Sequence, residues 1–128
     1  NYEEIFKSYR LKNVFSKINN DNLKIYINSI TEKNNGKIHI TYPKNWEYQI
    51  YKTSLIADMY IWENIKKINF PCLIIRAENS NAFLNSSQKK IEKLNPNIKF
   101  TTLKNSTHLF PLEYPKETQN LIKIFIDN

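Results

Sequence analysis

The first seventy residues carry apolar side chains at the spacing of helices. From Tyr2 to about Asn19 these side chains recur at intervals of three and four residues, which predicts an amphipathic helix. Asp21 is predicted as the N-cap of a second, short helix. Pro43 suits the start of a third helix, and residues 55–68 are predicted to form a separate fourth one.

One short segment of this first part alternates between polar and apolar residues. Asn34, Asn35 and Gly36 form a turn signal, and residues 37–42 then alternate like a strand or an extended segment. No second strand is predicted beside it. We therefore expect the first part to be mostly helical and to have no sheet of its own.

The pattern changes near Pro71, where apolar runs and amphipathic segments begin to alternate. Residues 72–75 and 98–103 are predicted as strands, the first of them buried on both faces. Ser86 is predicted to be the N-cap of a helix between the two strands. Residues 115–126 are predicted to form a final amphipathic helix. The order strand, helix, strand, helix with short connecting loops predicts a right-handed parallel β-α-β unit and a helix that covers it.

Two parallel strands cannot form a self-sufficient sheet, because parallel sheets need further strands and cover on both faces. We therefore expect the edge of a larger sheet whose other strands are missing from these 128 residues. The first residue is Asn1 rather than Met, which suggests a processed or truncated chain. Because an apolar strand edge invites association, another chain is expected to cover residues 72–75.

Composition places the chain among globular proteins of about one domain. Its 41% hydrophobic and 13% aromatic residues are too many for a disordered chain. The single cysteine, Cys72, excludes a disulfide framework and a cysteine-based structural zinc site. No apolar run reaches the roughly 20 residues of a membrane span and no signal-peptide pattern opens the chain. We expect a soluble, cytoplasmic protein with no membrane partner.

The net charge of +7 does not predict a nucleic-acid partner. Only two of the 19 basic residues are arginines, and the lysines are spread along the chain, whereas phosphate and base recognition favours clustered arginines. We interpret the charge as a solvated lysine surface. Gly36 is the only glycine, so the chain holds neither a glycine-rich phosphate loop nor a strand–turn–helix nucleophile elbow.

Candidate chemistry lies where the two predicted parallel strands end, because ligands of open parallel sheets bind beyond these ends. At these two places the sequence resembles the α/β-hydrolase superfamily, in the capped subgroup of haloalkane-dehalogenase-like and ring-cleavage-product hydrolases. Residues 71–81, PCLIIRAENSN, resemble the family's P-x-L-x-x-R-G-E-x-S-D. Residues 108–115, HLFPLEYP, resemble its G-H-L-x-P-L-E-x-P, and residues 42–47 and 62–65 loosely resemble its cap helices.

The resemblance implies the α/β class and a partial α/β-hydrolase fold. A helical cap segment would span residues 1–70, and a β-α-β-α unit with two parallel strands would span residues 71–128. The implied protein is the C-terminal part of a hydrolase acting on a small-molecule ester, amide, C–C or C–halogen bond without a cofactor or metal. Because its nucleophile would lie on earlier strands, the chain alone is expected to be inactive. We expect it to pair with a missing N-terminal half or with itself.

His108 stands at the position of the family's catalytic base, on a loop after a buried strand. His39 lacks such a context and is expected on the cap surface. Aromatic side chains near the motifs and in the cap are candidates for an apolar substrate pocket, with core packing as the alternative for the two tryptophans. These candidates are Phe83, Phe110, Trp46 and Trp62.

Asn81 stands where the family has its catalytic acid. An amide can hold an imidazole through its carbonyl oxygen but cannot stabilise the imidazolium by charge. Three interpretations stay open: the acid lies on an earlier strand, Glu78 or another nearby carboxylate replaces it, or the protein is a noncatalytic binding or interaction domain. Asn105, where the family has glycine nearby, is expected to serve the turn, since Asn tolerates left-handed backbone.

Overall fold

The computed structural model describes residues 1–127, without the side chains of residues 44, 55 and 57. The helices described are α1 (Tyr2–Arg10), α2 (Asn20–Ser29), α3 (Lys44–Asn64), α4 (Asn85–Leu94), α5 (Phe110–Glu113) and α6 (Pro115–Ile126). The strands are β1 (Thr31–Asn34), β2 (Lys37–Ile40), β3 (Cys72–Ala77) and β4 (Ile98–Leu103). Two 3₁₀ turns lie at Asn13–Phe15 and Ile65–Lys67.

Helix α1 ends nine residues before the predicted boundary, because the chain folds back after Arg10. The Arg10 guanidinium donates hydrogen bonds to the carbonyl oxygens of Phe15 (3.1 Å) and Ile18 (2.8 Å). Helix α2 begins at Asn20, and its N-cap is Asn19, not Asp21 as predicted. The Asn19 side chain accepts a hydrogen bond from the backbone N–H of Asn22 at 2.8 Å.

The expectation that the first part has no sheet is wrong. Strands β1 and β2 form an antiparallel hairpin in which Thr31 pairs with Ile40 and Asn34 with Lys37. The two residues between the strands have positive φ, 49° at Asn35 and 75° at Gly36. A two-residue turn with positive φ at both positions matches the right-handed twist of the strands, and Asn-Gly is its preferred sequence.

Helix α3 is one continuous helix of 21 residues, where two were predicted. Pro43 precedes its first residue, as expected, and no glycine or proline interrupts the residues that follow. Large apolar side chains lie exposed along its length: Trp46, Tyr48, Ile50, Tyr51, Ile56, Met59, Tyr60 and Ile61. Among the described residues, no helix is both long and apolar enough to cross a membrane.

The parallel unit has the predicted order. Strand β3 runs parallel to β4, with Cys72 opposite Ile98 and Ala77 opposite Leu103. Strand β3 is two residues longer than predicted and mostly half-buried, because β4 is its one partner among the described strands. Helix α4 follows Leu84 as its N-cap, so the prediction of Ser86 in that position is wrong.

Two hydrophobic clusters hold the described residues together. The first contains Tyr9, Phe15, Ile18, Leu23 and Ile27, with Leu109 and Leu112 packed against it. The second contains Ile65, Ile91 and Ile98, with Trp62, Phe83 and Phe100 among the residues packed against it. Each cluster joins residues from both sides of position 70, and the division into two segments there stays a prediction.

Candidate active site at the ends of the parallel strands

The segments that follow β3 and β4 lie side by side, as predicted. The backbone N–H of Glu78 donates to the carbonyl oxygen of Leu103 at 3.0 Å, and that of Asn79 donates to Ser106 at 2.9 Å. These hydrogen bonds continue the pairing of the strands beyond their ends. They join the Glu78–Asn81 loop to the Asn105–His108 loop at the carboxyl edge of the parallel pair, where ligands of such sheets bind.

A tight turn at Asn105 leads from β4 towards His108. Asn105 has a φ of 56°, which confirms the expectation of left-handed backbone at this position. Its backbone N–H donates to the carboxylate of Glu78 at 2.8 Å. The next residue, Ser106, is fully buried, and its hydroxyl donates to the carbonyl oxygen of Leu103 at 2.7 Å. The turn is therefore tied to both strands.

Glu113 holds the residue that immediately precedes His108. Its carboxylate accepts a hydrogen bond from the backbone N–H of Thr107 at 2.8 Å and another from the Thr107 hydroxyl. Glu113 therefore holds this loop and does not cap the last helix. Tyr114 is the N-cap of α6, while Pro115 occupies its first turn as expected.

His108 lies exposed between Thr107 and α5. No side-chain hydrogen bond to its imidazole is formed within residues 1–127, so the ring is available to a group from outside. The residues that follow it are anchored, since Leu109 and Leu112 pack against the first hydrophobic cluster. The His108 side chain is thus exposed, while the residues that follow it are packed against the first hydrophobic cluster.

Asn81 is also exposed, on the loop after β3. The hydroxyl of Ser80 accepts a hydrogen bond from the backbone N–H of Ala82 at 3.1 Å, which closes this loop into a turn around Asn81. The two nearby carboxylates, Glu78 and Glu113, are both engaged with backbone N–H groups. No carboxylate of the described residues forms an ion pair with His108.

The structure brings together two of the four predicted pocket residues and not the other two. Trp62 and Phe83 line one cavity of about 250 Å³, to which Asp58 also contributes. Trp46 is 61% exposed on α3, and Phe110 is half-buried at the start of α5. Within the described part of the chain, no group of three or more His, Cys, Asp or Glu side chains could hold a metal ion.

Several polar residues around the site were not identified from the sequence. The Lys17 ammonium donates to the carbonyl oxygen of Asn105, and the Asn22 amide donates to that of Leu112.

His39 lines a second cavity, of about 700 Å³, together with Tyr9 and Tyr42. Burial, and next the hydrogen bond with Tyr42, raise the pKa of the Tyr9 phenol.

Comparison with known proteins gives a fold and no close relative. No protein-family model and no curated protein matches the sequence. Eight chains of solved structures match, among them three that cover 95% or more of this chain. One of them is an E-2-(acetamidomethylene)succinate hydrolase, with a TM-score of 0.84 and 17% sequence identity. The alignment covers 99% of this chain and 46% of the hydrolase chain.

The other two matches are a peroxisomal α/β-hydrolase, Lpx1, from Saccharomyces cerevisiae and a thioesterase domain from the curacin biosynthetic pathway. Lpx1 has a TM-score of 0.82 at 19% identity, with 99% of this chain and 33% of Lpx1 covered. The thioesterase domain has a TM-score of 0.68 at 15% identity, with 95% and 42% covered. The chain therefore has part of the α/β-hydrolase fold, which confirms the predicted fold class, and spans less than half of each of these structures.

Proposed function

We propose that this chain supplies the general base and the cap of an α/β-hydrolase active site. The observation that carries the proposal is the pairing of the two strand-end loops, since one of them carries the exposed His108 and the other carries Asn81. The names of the three matching structures, two hydrolases and a thioesterase, support a hydrolytic reaction. The substrate class is a small molecule with an ester, amide, C–C or C–halogen bond.

In the proposed ester or amide hydrolysis His108 takes a proton from the nucleophile and gives it to the leaving group, and then takes a proton from the water that cleaves the covalent intermediate. With a C–halogen substrate the halide leaves as an anion, and His108 acts only on the water. Asn81 orients the imidazole through its amide oxygen, which leaves the imidazolium without a negative partner from this loop. The exposed position of both residues lets a third group approach them. The chemistry needs no cofactor, since proton transfer and covalent attack are carried out by side chains.

The nucleophile and the oxyanion hole must come from residues outside these 128. The one glycine, Gly36, sits in the β1–β2 turn, so no glycine-flanked nucleophile turn can form at the end of β3 or β4. We propose that the partner is the complementary part of the hydrolase fold, added along the free edge of β3. Self-association along the same edge is the second form that the edge allows.

The test is the turnover of p-nitrophenyl esters and haloalkanes by a polypeptide that joins these 128 residues to a nucleophile segment. His108→Ala is expected to lower kcat/KM at least 100-fold, the minimum usually seen when a general base is removed. His39→Ala is the matched control, because it removes the other imidazole, and is expected to change turnover less than twofold. Full activity of the His108→Ala protein would refute the proposal. The 128 residues alone are expected to show no turnover.

A noncatalytic binding domain is the second candidate function. It is favoured by the hydrogen bonds of Glu78 and Glu113 to backbone N–H groups, since no carboxylate of the described residues then pairs with His108. Asn81→Asp tests it, because an amide in place of the acid costs about 10⁴-fold in a serine protease. A large gain in turnover on Asn81→Asp would identify a lost acid and a degenerate site. An active protein that gains nothing would take its acid from another strand.

A further inference from the structure

The loop that carries His108 is held from a second side, by helix α2 and by the segment that connects α1 to α2. The Lys17 ammonium donates a hydrogen bond to the carbonyl oxygen of Asn105 at 2.9 Å, across 88 residues of sequence. The side-chain amide of Asn22, in the first turn of α2, donates to the carbonyl oxygen of Leu112 at 2.8 Å, across 90 residues. The two acceptors lie on either side of His108.

Apolar packing reinforces these two hydrogen bonds. Leu109 and Leu112 pack against the cluster formed by α1, α2 and the turn between them. Two members of that cluster, Leu23 and Ile27, have no exposed surface at all. Since a close-packed interior transmits displacement, a shift of this pair of helices moves the segment that follows His108.

We propose that Lys17 and Asn22 are positioning residues for His108, so that the orientation of its imidazole depends on where α1 and α2 sit. The sheet alone fixes only the start of the loop, through the bonds at Leu103 and Ser106. Lys17 holds the carbonyl group three residues before His108, and Asn22 holds the one four residues after it. The effect on catalysis rests on the proposed function. The effect of Lys17 and Asn22 on the position of the His108 loop does not.

Asn22→Asp is the sharpest variant. It keeps the shape of the side chain, and a carboxylate in the first turn of α2 is compatible with the helix dipole. The change removes the N–H donor and sets a negative group against the carbonyl oxygen of Leu112. Amide hydrogen exchange in residues 107–113 is expected to speed up about fivefold, the effect of losing one typical hydrogen bond. The NMR signals of the His108 imidazole are expected to shift.

A second pair of variants isolates Lys17, whose side chain is exposed. Lys17→Met removes the donor and retains the apolar stem, and is expected to shift the His108 signals in the same way. Lys17→Arg keeps a donor of similar reach and is expected to restore them. Because the position is exposed, these variants keep the proposal testable even if Asn22→Asp fails to fold.

Ser29→Ala is the matched control on α2. Its hydroxyl donates to the carbonyl oxygen of Tyr26 at 2.7 Å, so the variant loses one hydrogen bond of the same helix without touching the loop. We expect it to leave the His108 signals unchanged. Unshifted His108 signals and unchanged exchange in both Asn22→Asp and Lys17→Met would overturn the proposal. All these readouts use the 128-residue chain without turnover, so a failure here is distinct from a failure of the hydrolase proposal.

Discussion

At the scale of single residues, Asn105 sets the shape of the turn that leads to His108. Its φ of 56° lies in the left-handed region, which a side chain with a Cβ enters at a cost of about 1–2 kcal/mol. This cost is smaller for asparagine than for most residues, because its short side chain forms local hydrogen bonds. Glycine has no such cost, since it lacks a Cβ. The turn therefore accepts Asn or Gly and resists other residues.

We predict that Asn105→Ala lowers the free energy of unfolding by about 1 kcal/mol, whereas Asn105→Gly changes it by less than half as much. Urea unfolding followed by circular dichroism measures both. Lys104→Ala, at the exposed neighbouring position, is the control. Equal stability of the Ala and Gly variants would show that the backbone conformation is not what limits this position.

The buried phenol of Tyr9 makes stability depend on alkaline pH. Burial and the hydrogen bond with Tyr42 raise its pKa in the folded state, while the unfolded chain titrates near the ordinary value of about 10. The stabilisation is thus complete below pH of about 10 and is lost as the pH rises further, because the unfolded state then binds fewer protons.

We predict that the free energy of unfolding falls as the pH rises from about 10 to about 12, and that it falls less steeply in Tyr9→Phe. Urea titrations at fixed pH values give the slope. Tyr48→Phe is the control, since Tyr48 is exposed on α3. A slope that is the same in Tyr9→Phe and in the unchanged chain would contradict the assignment to Tyr9.

The local motif around His108 and Asn81 could be read from the sequence, because each residue follows a recognisable strand. Lys17 and Asn22 could not, since their contacts span about ninety residues and no local pattern records them. The role of Glu113 was missed for a related reason. Its carboxylate turns back to Thr107, whereas its position before Pro115 resembles a helix cap.

At the scale of elements, Asn95 joins the end of α3 to the α4–β4 connection. It is 4% exposed, and its amide donates to the carbonyl oxygens of Ile65 (3.0 Å) and Ile68 (2.9 Å). Its own carbonyl oxygen accepts from the backbone N–H of Asn97 at 3.1 Å. One buried side chain thus forms hydrogen bonds with three backbone groups.

We predict that Asn95→Ala lowers the free energy of unfolding by about 2–3 kcal/mol, because buried groups lose their partners and no water replaces them. The measurement is urea unfolding at neutral pH. Asn97→Ala is the matched control, as Asn97 is exposed and only its backbone takes part. A loss below 0.5 kcal/mol for Asn95→Ala would refute the structural role.

The elements of the second part were predicted well and those of the first part less well. Strand β4 and helix α6 have the predicted bounds, since Ile98 and Phe100 alternate with Lys99 in β4 and Pro115 marks the start of α6. The hairpin was missed because β1 reads Thr-Glu-Lys-Asn and has no apolar alternation. Helix α3 was divided because its apolar residues lie on all sides and give no single periodic face.

At the scale of the whole molecule, the chain exposes more surface than a folded monomer of its size. Its accessible area is 9923 Å², whereas about 7,100 Å² is expected for a 15.3 kDa monomer. With a similar area on a partner, an excess of about 2,800 Å² on one chain gives a total above about 5,000 Å², the size of the largest permanent interfaces. Much of it lies on α3, where Ile56 is 73% exposed and Met59 is 65% exposed.

We predict that the isolated chain associates at high concentration, because apolar surface of this extent favours contact with other chains. Light scattering is expected to give a mass above 15.3 kDa. The double variant Ile56→Lys, Met59→Lys is expected to shift that mass towards the monomer without changing the helical signal. A monodisperse monomer of the unchanged chain at millimolar concentration would contradict the prediction.

The central claim is that the imidazole of His108 acts as the base of a hydrolase site. Chemical rescue tests it most directly, in a polypeptide that joins these 128 residues to a nucleophile segment. After His108→Ala leaves a space for a small base, added imidazole is expected to restore part of the lost turnover, in proportion to its concentration until saturation. The unchanged protein and His39→Ala are expected to gain nothing. Equal acceleration of all three proteins by imidazole, without saturation, would contradict the account.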